Sequence, residues 1–169
     1  MKNLIKISLL SLFAVVLFNC GGEEKKEEKE SVKIGTKKVE KKEDDSVAKL
    51  VITGDDNMQF STKELRVKAG QSVKLTLRHI GKMDVNIMGH NVVILKKGTD
   101  TAAFAAKAAT ERDNGYIPAD SDEVIAHTNM IGGGQVATVE FTAPEAGEYD
   151  FICSFPAHFA LMQGKLIVE

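Results

Sequence analysis

Asp150-Phe151-Ile152-Cys153-Ser154-Phe155-Pro156-Ala157-His158-Phe159-Ala160-Leu161-Met162-Gln163-Gly164 is the stretch around which the chain is organised. It leaves one apolar, strand-like run, passes a turn marked by Pro156, and enters another strand-like run after Gly164. On the way it presents a cysteine, a histidine and a methionine spaced Cys-x4-His-x3-Met. Thiolate, imidazole and thioether are donors of graded softness, and together they select copper over harder ions. A trigonal copper site takes one thiolate, two imidazoles and a weak axial thioether. Cys153, His158 and Met162 supply three of these four, and His90 in Met88-Gly89-His90-Asn91 is the best candidate for the fourth. Taken singly, each residue has a plainer reading: a lone Cys is a small buried hydrophobe and a Met is core filler. Their convergence in one turn-bounded loop between two strands favours a metal site.

Outward from the loop, the chain reads as short strands. Lys49 to Thr53 is a first strand; Leu65 to Lys68 and Val73 to Leu77 alternate apolar and polar residues around a turn at Gly70. Asn91 to Leu95 is apolar and β-branched, Val136 to Phe141 alternates, and Tyr149 to Ile152 and Lys165 to Val168 close the chain. Such a series, punctuated by Gly, Pro and Asx turns, predicts a β-sandwich or barrel. Thr101 to Arg112 breaks the pattern: it is rich in Ala and Lys and favours helix, with Thr99 or Asp100 to cap its start and Gly115 its end.

From about Val47 to Glu169 the chain resembles the azurins, blue-copper proteins of the cupredoxin family. The resemblance rests on the Cys-x4-His-x3-Met loop, which in plastocyanin-like relatives has a shorter Cys-to-His gap. It rests also on Gly54-Asp55-Asp56-Asn57-Met58-Gln59-Phe60, Asn86-Ile87-Met88-Gly89-His90-Asn91 and Val124-Ile125-Ala126-His127-Thr128, met in the same order. It implies an all-β, Greek-key cupredoxin sandwich or barrel with one inserted helical flap at about residues 100–114. It implies copper held by His90, Cys153 and His158, with Met162 axial and the Gly89 carbonyl opposite. Asn91 would brace the ligand loop, and the backbone N–H groups of Asn91 and Phe155 would donate to the cysteine sulfur. Met58, Met83, Met88, Phe155, Pro156, Ala157 and Leu161 match the hydrophobic face through which partners dock, over the exposed edge of His158. His79 matches a position near the metal but outside its ligands, and His127 a surface histidine.

The chain also departs from this pattern. Ala157 and Phe159 flank His158 where the family has Gly and Ser, and Val92 replaces a tryptophan. Ala48 and Gln71 stand near the positions of a family disulfide, so that crosslink is absent. An exported domain of this size can do without one.

The first part of the 169-residue chain is different in kind. Residues 1–19 read as a lipoprotein signal peptide: Lys2 and Lys6 are followed by an apolar run from Leu9 to Phe18, too short to span a bilayer. Leu17-Phe18-Asn19-Cys20 resembles a bacterial lipobox, with Cys20 as the lipidated residue, although Phe18 and Asn19 stand where small residues are usual. Residues 20–46 form a charged tether; Glu23 to Asp45 holds eight Lys and nine Asp or Glu and no aromatic. Such a segment cannot bury enough apolar surface to offset its ordering entropy. Residues 47–169 form the folded domain.

A net charge of −2 gives no argument for a nucleic-acid partner, and no nucleophile–base pair or phosphate loop points to an enzyme. The resemblance implies a type 1 (blue) copper protein that shuttles single electrons in the bacterial cell envelope, anchored by lipid and facing the periplasm. Its partners would be redox proteins such as c-type cytochromes or a copper-containing or haem reductase. Copper binding for storage or delivery is the alternative, with extra Met or His clusters as its sign; Met58, Met83 and Met88 form no dense run. A third reading, an adhesion module with incidental metal, fits poorly with a complete ligand set.

Overall fold

The computed structural model describes residues 46–169. The readings of residues 1–19, of Cys20 and of nearly all the tether lie outside that span.

Eight strands form two sheets. β1 (Val47–Gly54), β3 (Ser72–His79) and β6 (Val136–Thr142) make a three-stranded sheet in the order β1-β3-β6. β2 (Glu64–Val67), β8 (Gln163–Val168), β7 (Gly147–Ile152), β4 (Val93–Leu95) and β5 (Val124–His127) make a five-stranded one in the order β2-β8-β7-β4-β5. β1 runs parallel to β3 and β2 to β8; the other pairings are antiparallel. Among the described residues the sheets make a sandwich and not a closed barrel, which decides between the two expected architectures.

The alternation read in the sequence becomes the two faces of each sheet. In β3, Val73, Leu75 and Leu77 are buried while Lys74 and Arg78 face out. They meet Phe60, Leu65, Phe151, Cys153, Met162 and Leu166 from the other sheet and its connections in one core. Truncating a fully buried member such as Phe151 to Ala costs roughly 3–5 kcal/mol on general grounds.

A second, smaller cluster lies under the helical flap. Helix α2 (Thr101–Ala108) places Phe104, Ala105 and Ala108 against Val93, Leu95, Ile117 and Ile152. Asp100 caps it, its carboxylate accepting from the Ala102 and Ala103 N–H groups. The helix ends four residues before the predicted Arg112. There the Thr110 hydroxyl donates to the Lys107 carbonyl, and the Glu111 N–H bonds back only three residues, to Ala108. A 3-10 turn, Arg112–Asn114, follows and stops at Gly115, which takes the left-handed conformation at φ 62°. Two elements were not expected from the sequence. One is α1 (Val85–Met88), a single turn capped by Asp84; the other is β5, whose partly buried residues show no clean alternation.

Candidate metal centre

The pairing of three strands assembles the site. β4 and β7 end their ladder at Val93 opposite Ile152, and β7 and β8 end theirs at Ile152 opposite Gln163. One step further along the second ladder, the Cys153 N–H donates to the Met162 carbonyl at 2.9 Å. Two steps along the first, Asn91 faces Ser154. The Asn91 Oδ1 accepts from the Ser154 N–H at 2.9 Å, and its Nδ2 donates to Ser154 Oγ at 2.8 Å. His90 is bridged to Ile131 by a reciprocal pair of backbone hydrogen bonds, each 2.9 Å. His158 opens a 3-10 turn, His158–Ala160, whose carbonyl accepts from Leu161 N–H at 3.0 Å and Met162 N–H at 2.8 Å.

These constraints bring His90, Cys153 and His158 together, with one ligand atom from each inside a 4.8 Å span. The Cys153 Sγ lies 3.7 Å from His158 Nδ1 and 4.0 Å from His90 Nδ1. Both separations are below the sum of metal–nitrogen and metal–sulfur bonds of roughly 2.0 and 2.3 Å, so each imidazole is within reach of an ion bound to the sulfur. The Gly89 carbonyl oxygen is 3.8 Å from the same sulfur. Met162 is fully buried beside the cluster: a Cβ added at Gly54 would lie 2.8 Å from His90 Cδ2 and 3.3 Å from Met162 Cε.

Hydrogen bonding settles which nitrogens are free. His90 Nε2 lies 2.8 Å from the Asp55 carbonyl oxygen, which can only accept, so the proton sits on Nε2 and the Nδ1 lone pair faces the sulfur. His79 is stacked on His90 with centroids 4.3 Å apart. Its Nε2 donates to the Met88 carbonyl at 2.8 Å and its Nδ1 accepts from the Gly81 N–H at 3.1 Å. Both His79 nitrogens are therefore occupied, and its role is to pack. His127 is exposed, away from the cluster, with Nδ1 3.2 Å from the Thr128 carbonyl.

Burial sets the protonation of the metal-free site. It pushes the Cys153 thiol up to about 12, against the opposing pull of backbone N–H groups of Asn91 and Phe155 that donate to the sulfur. Burial first, then the neighbouring His90 and His79, bring His158 down to about 4. His90 is likewise lowered, chiefly by burial. At neutral pH both imidazoles are uncharged with lone pairs available, and a metal must displace only the thiol proton. A buried thiol with two neutral imidazoles and a thioether alongside is the donor set that favours copper.

The apolar residues expected around His158 are placed unevenly. Leu161, Met83 and Ala157 are exposed; Met88 and Pro156 are half-buried, and Met58 and Phe155 are half-buried and packed on the main core. His158 itself is 3% exposed, so the open imidazole edge expected from the sequence is a sliver under Phe155, whose ring centroid is 4.6 Å away. Sequence reasoning missed three contributors. The Asp55 carbonyl orients His90, Gly54 makes room for His90 and Met162, and Met130 has its sulfur 3.0 Å from where a Gly89 Cβ would stand. Only Gly54 left a signal, a glycine that follows the first predicted strand and opens a quoted motif.

The comparisons with known proteins agree with this geometry. Residues 46–169 match the model of the copper binding proteins of the plastocyanin/azurin family. Azurin-1 of Alcaligenes xylosoxydans xylosoxydans is 44% identical over 119 residues, which cover 68% of this chain and 92% of that protein. Outer membrane protein H.8 of Neisseria meningitidis is 40% identical over 118 residues, 68% of this chain and 64% of that one. Among solved structures, auracyanin A, a "blue" copper protein of Chloroflexus aurantiacus, superposes with a TM-score of 0.66 at 33% identity, covering 73% of this chain and 99% of its own. With a copper-suited donor set at the end of a two-sheet sandwich, and a family match spanning all described residues, the chain belongs to the plastocyanin/azurin family of copper-binding proteins.

Proposed function

We propose that the protein is a type 1 copper electron carrier of the bacterial cell envelope. In this reading His90, Cys153 and His158 would hold the copper, with the Met162 thioether and the Gly89 carbonyl as weaker donors beside them. The observation that carries it is the enclosure of the site: His90, Cys153 and Met162 are fully buried and His158 almost so. Copper, when bound, supplies a one-electron couple. The protein's part is to hold the donors so that neither oxidation state requires them to move. His90 is fixed by the Asp55 carbonyl and by stacking on His79, and Cys153 by Asn91 and the strand ladders. A small-molecule substrate has no path to such a centre, which supports a carrier over an enzyme. Delivery of copper would call for an exposed ligand to hand it on, and the burial argues against that alternative.

Electrons would leave through the His158 edge, with Leu161 (51% exposed) and Met83 (43% exposed) as the most open members of an apolar docking face. A small interface of that kind suits brief contacts between redox partners such as c-type cytochromes or a copper-containing or haem reductase. The envelope assignment draws on the signal-like residues 1–19, on Cys20 as lipid acceptor, and on the likeness to a protein named as an outer membrane protein. Among the described residues no helix is long and apolar enough to cross a membrane; in this reading Cys20 would be the point of attachment. Cys20→Ala should move the protein from the membrane to the soluble fraction or stall its maturation; wild-type partitioning would remove the anchor from the account. The carrier reading is tested by redox titration of the copper-loaded protein. A reversible one-electron couple that keeps its copper through repeated cycles is expected; ready loss of copper to an acceptor chelator on reduction would favour delivery.

A further inference from the structure

Phe159 follows His158 directly, and its bulk invites the view that it belongs to the docking face. The structure places it elsewhere. Phe159 is half-buried and packs against the cluster of Val93, Leu95, Phe104, Ala108, Ile117 and Ile152 that lies beneath α2. The turn that carries His158 is thus pinned to the flap helix by the side chain next to the imidazole. A second tie reaches the same imidazole from the other end of the flap. Tyr116 meets Phe155 edge-on with centroids 5.2 Å apart, and Phe155 in turn lies 4.6 Å from the His158 ring. Tyr116 holds a left-handed backbone, φ 61°, which is uncommon for a residue other than glycine. The flap also touches the segment of the other imidazole: Arg112 Nη2 donates to Asn86 Oδ1 at 2.9 Å, in the turn that leads to Gly89 and His90.

The need for such a tie can be read from the turn. His158–Ala160 is three residues long, and Ala157 before it takes φ 68°, so its backbone is not at ease by itself. His90, by contrast, has the strand bridge to Ile131 and the Asp55 carbonyl. We propose that Phe159 is a positioning residue for His158: by burying its ring beneath the flap it holds the His158 turn in the metal-binding arrangement before any metal is present, and so makes the flap a functional part of the centre. This goes beyond the carrier reading and is tested without copper, so that failure of one is distinguishable from failure of the other.

The test is amide hydrogen exchange, resolved by residue, on the full-length protein prepared free of metal. Wild type is compared with Phe159→Ser, which removes the anchor, and with Phe159→Leu, which keeps an apolar side chain. In Phe159→Ser the Leu161 and Met162 amides, which close the turn onto the His158 carbonyl, should exchange about tenfold faster or more, together with those of Gly115 to Ile117. The Leu75 and Leu77 amides in β3 should keep their wild-type rates, and Phe159→Leu should recover most of the lost protection. Faster exchange confined to the flap, with the His158 turn unchanged, would overturn the proposal. So would a uniform acceleration that includes β3, because Phe159 would then contribute only global stability.

Discussion

Gly89–His90 and Ala157–His158 present the same chemical group to the same sulfur, and the residue before each imidazole faces the opposite constraint. Gly89 has an ordinary backbone, φ −69° and ψ 142°, but no space: a Cβ there would lie 2.5 Å from the Val85 carbonyl oxygen and 2.9 Å from Phe155. Ala157 has its side chain exposed but an unfavourable backbone at φ 68°. The His90 side of the centre is therefore fixed by close packing and backbone hydrogen bonds. The His158 side is a short turn held in a less favourable conformation by apolar contacts from Phe155 and Phe159. One side of the centre resists change and the other tolerates it.

The largest effect should come from forcing a side chain into the crowded side. Gly89→Ala must move Val85 or Phe155, and overpacking of this kind costs roughly 1–3 kcal/mol or more. Denaturant unfolding of the metal-free protein should show that loss, along with weakened copper binding. A variant as stable as wild type would mean the contact around Gly89 is looser than described.

Next in size is a pH effect that sharpens the contrast between the two imidazoles. Folding brings His158 from its ordinary value near 6.5 down to about 4. Between those values the unfolded chain binds the proton and the folded chain does not, so stability rises with pH across that window and is lost as pH falls. With allowance for solvent screening, the metal-free protein should lose on the order of 1–2 kcal/mol between pH 7 and pH 5. His90 is lowered in the same direction, so His158→Gln should flatten the profile without abolishing its slope. An unchanged profile in His158→Gln would place the titration elsewhere.

The smallest effect, and the one of opposite sign, is expected at Ala157. A left-handed alanine costs roughly 1–2 kcal/mol. Replacement by glycine removes that cost but loosens the unfolded chain by about 0.4–1 kcal/mol. Ala157→Gly should therefore leave the metal-free protein slightly more stable, by about half a kcal/mol on balance. A clear destabilisation would show that the alanine methyl has a packing role which its exposure conceals.

Much of the fold and of the donor set was visible in the sequence, and what was not has a definite physical cause. The alternating runs in β3 and β6 read correctly because each has a buried face that enforces the period, and the apolar β4 because all three of its residues are buried. β5 was missed because its partner is the short β4, the pairing is irregular, and none of its four residues except Ala126 is fully buried. Cys153, His90 and His158 were legible as a set because their side chains carry the chemistry. Of the groups that orient them, the N–H donors of Asn91 and Phe155 came only through the family resemblance, and the Asp55 carbonyl not at all, because a backbone group is one that every residue has. Phe159 shows the remaining gap. Its size was evident, but its direction, beneath the flap and away from the docking face, depends on where α2 lies, and one residue in a loop does not carry that information.

The central claim is that both imidazoles and the Cys153 sulfur hold one copper ion together, and the visible spectrum tests it most directly. The copper(II)-loaded protein should be intensely blue, because charge transfer from a bound thiolate to copper(II) would be strong. Cys153→Ser keeps the shape of the side chain but replaces the sulfur by oxygen, and it should be colourless or nearly so with copper present. A Cys153→Ser protein that remains as blue as wild type would contradict the account.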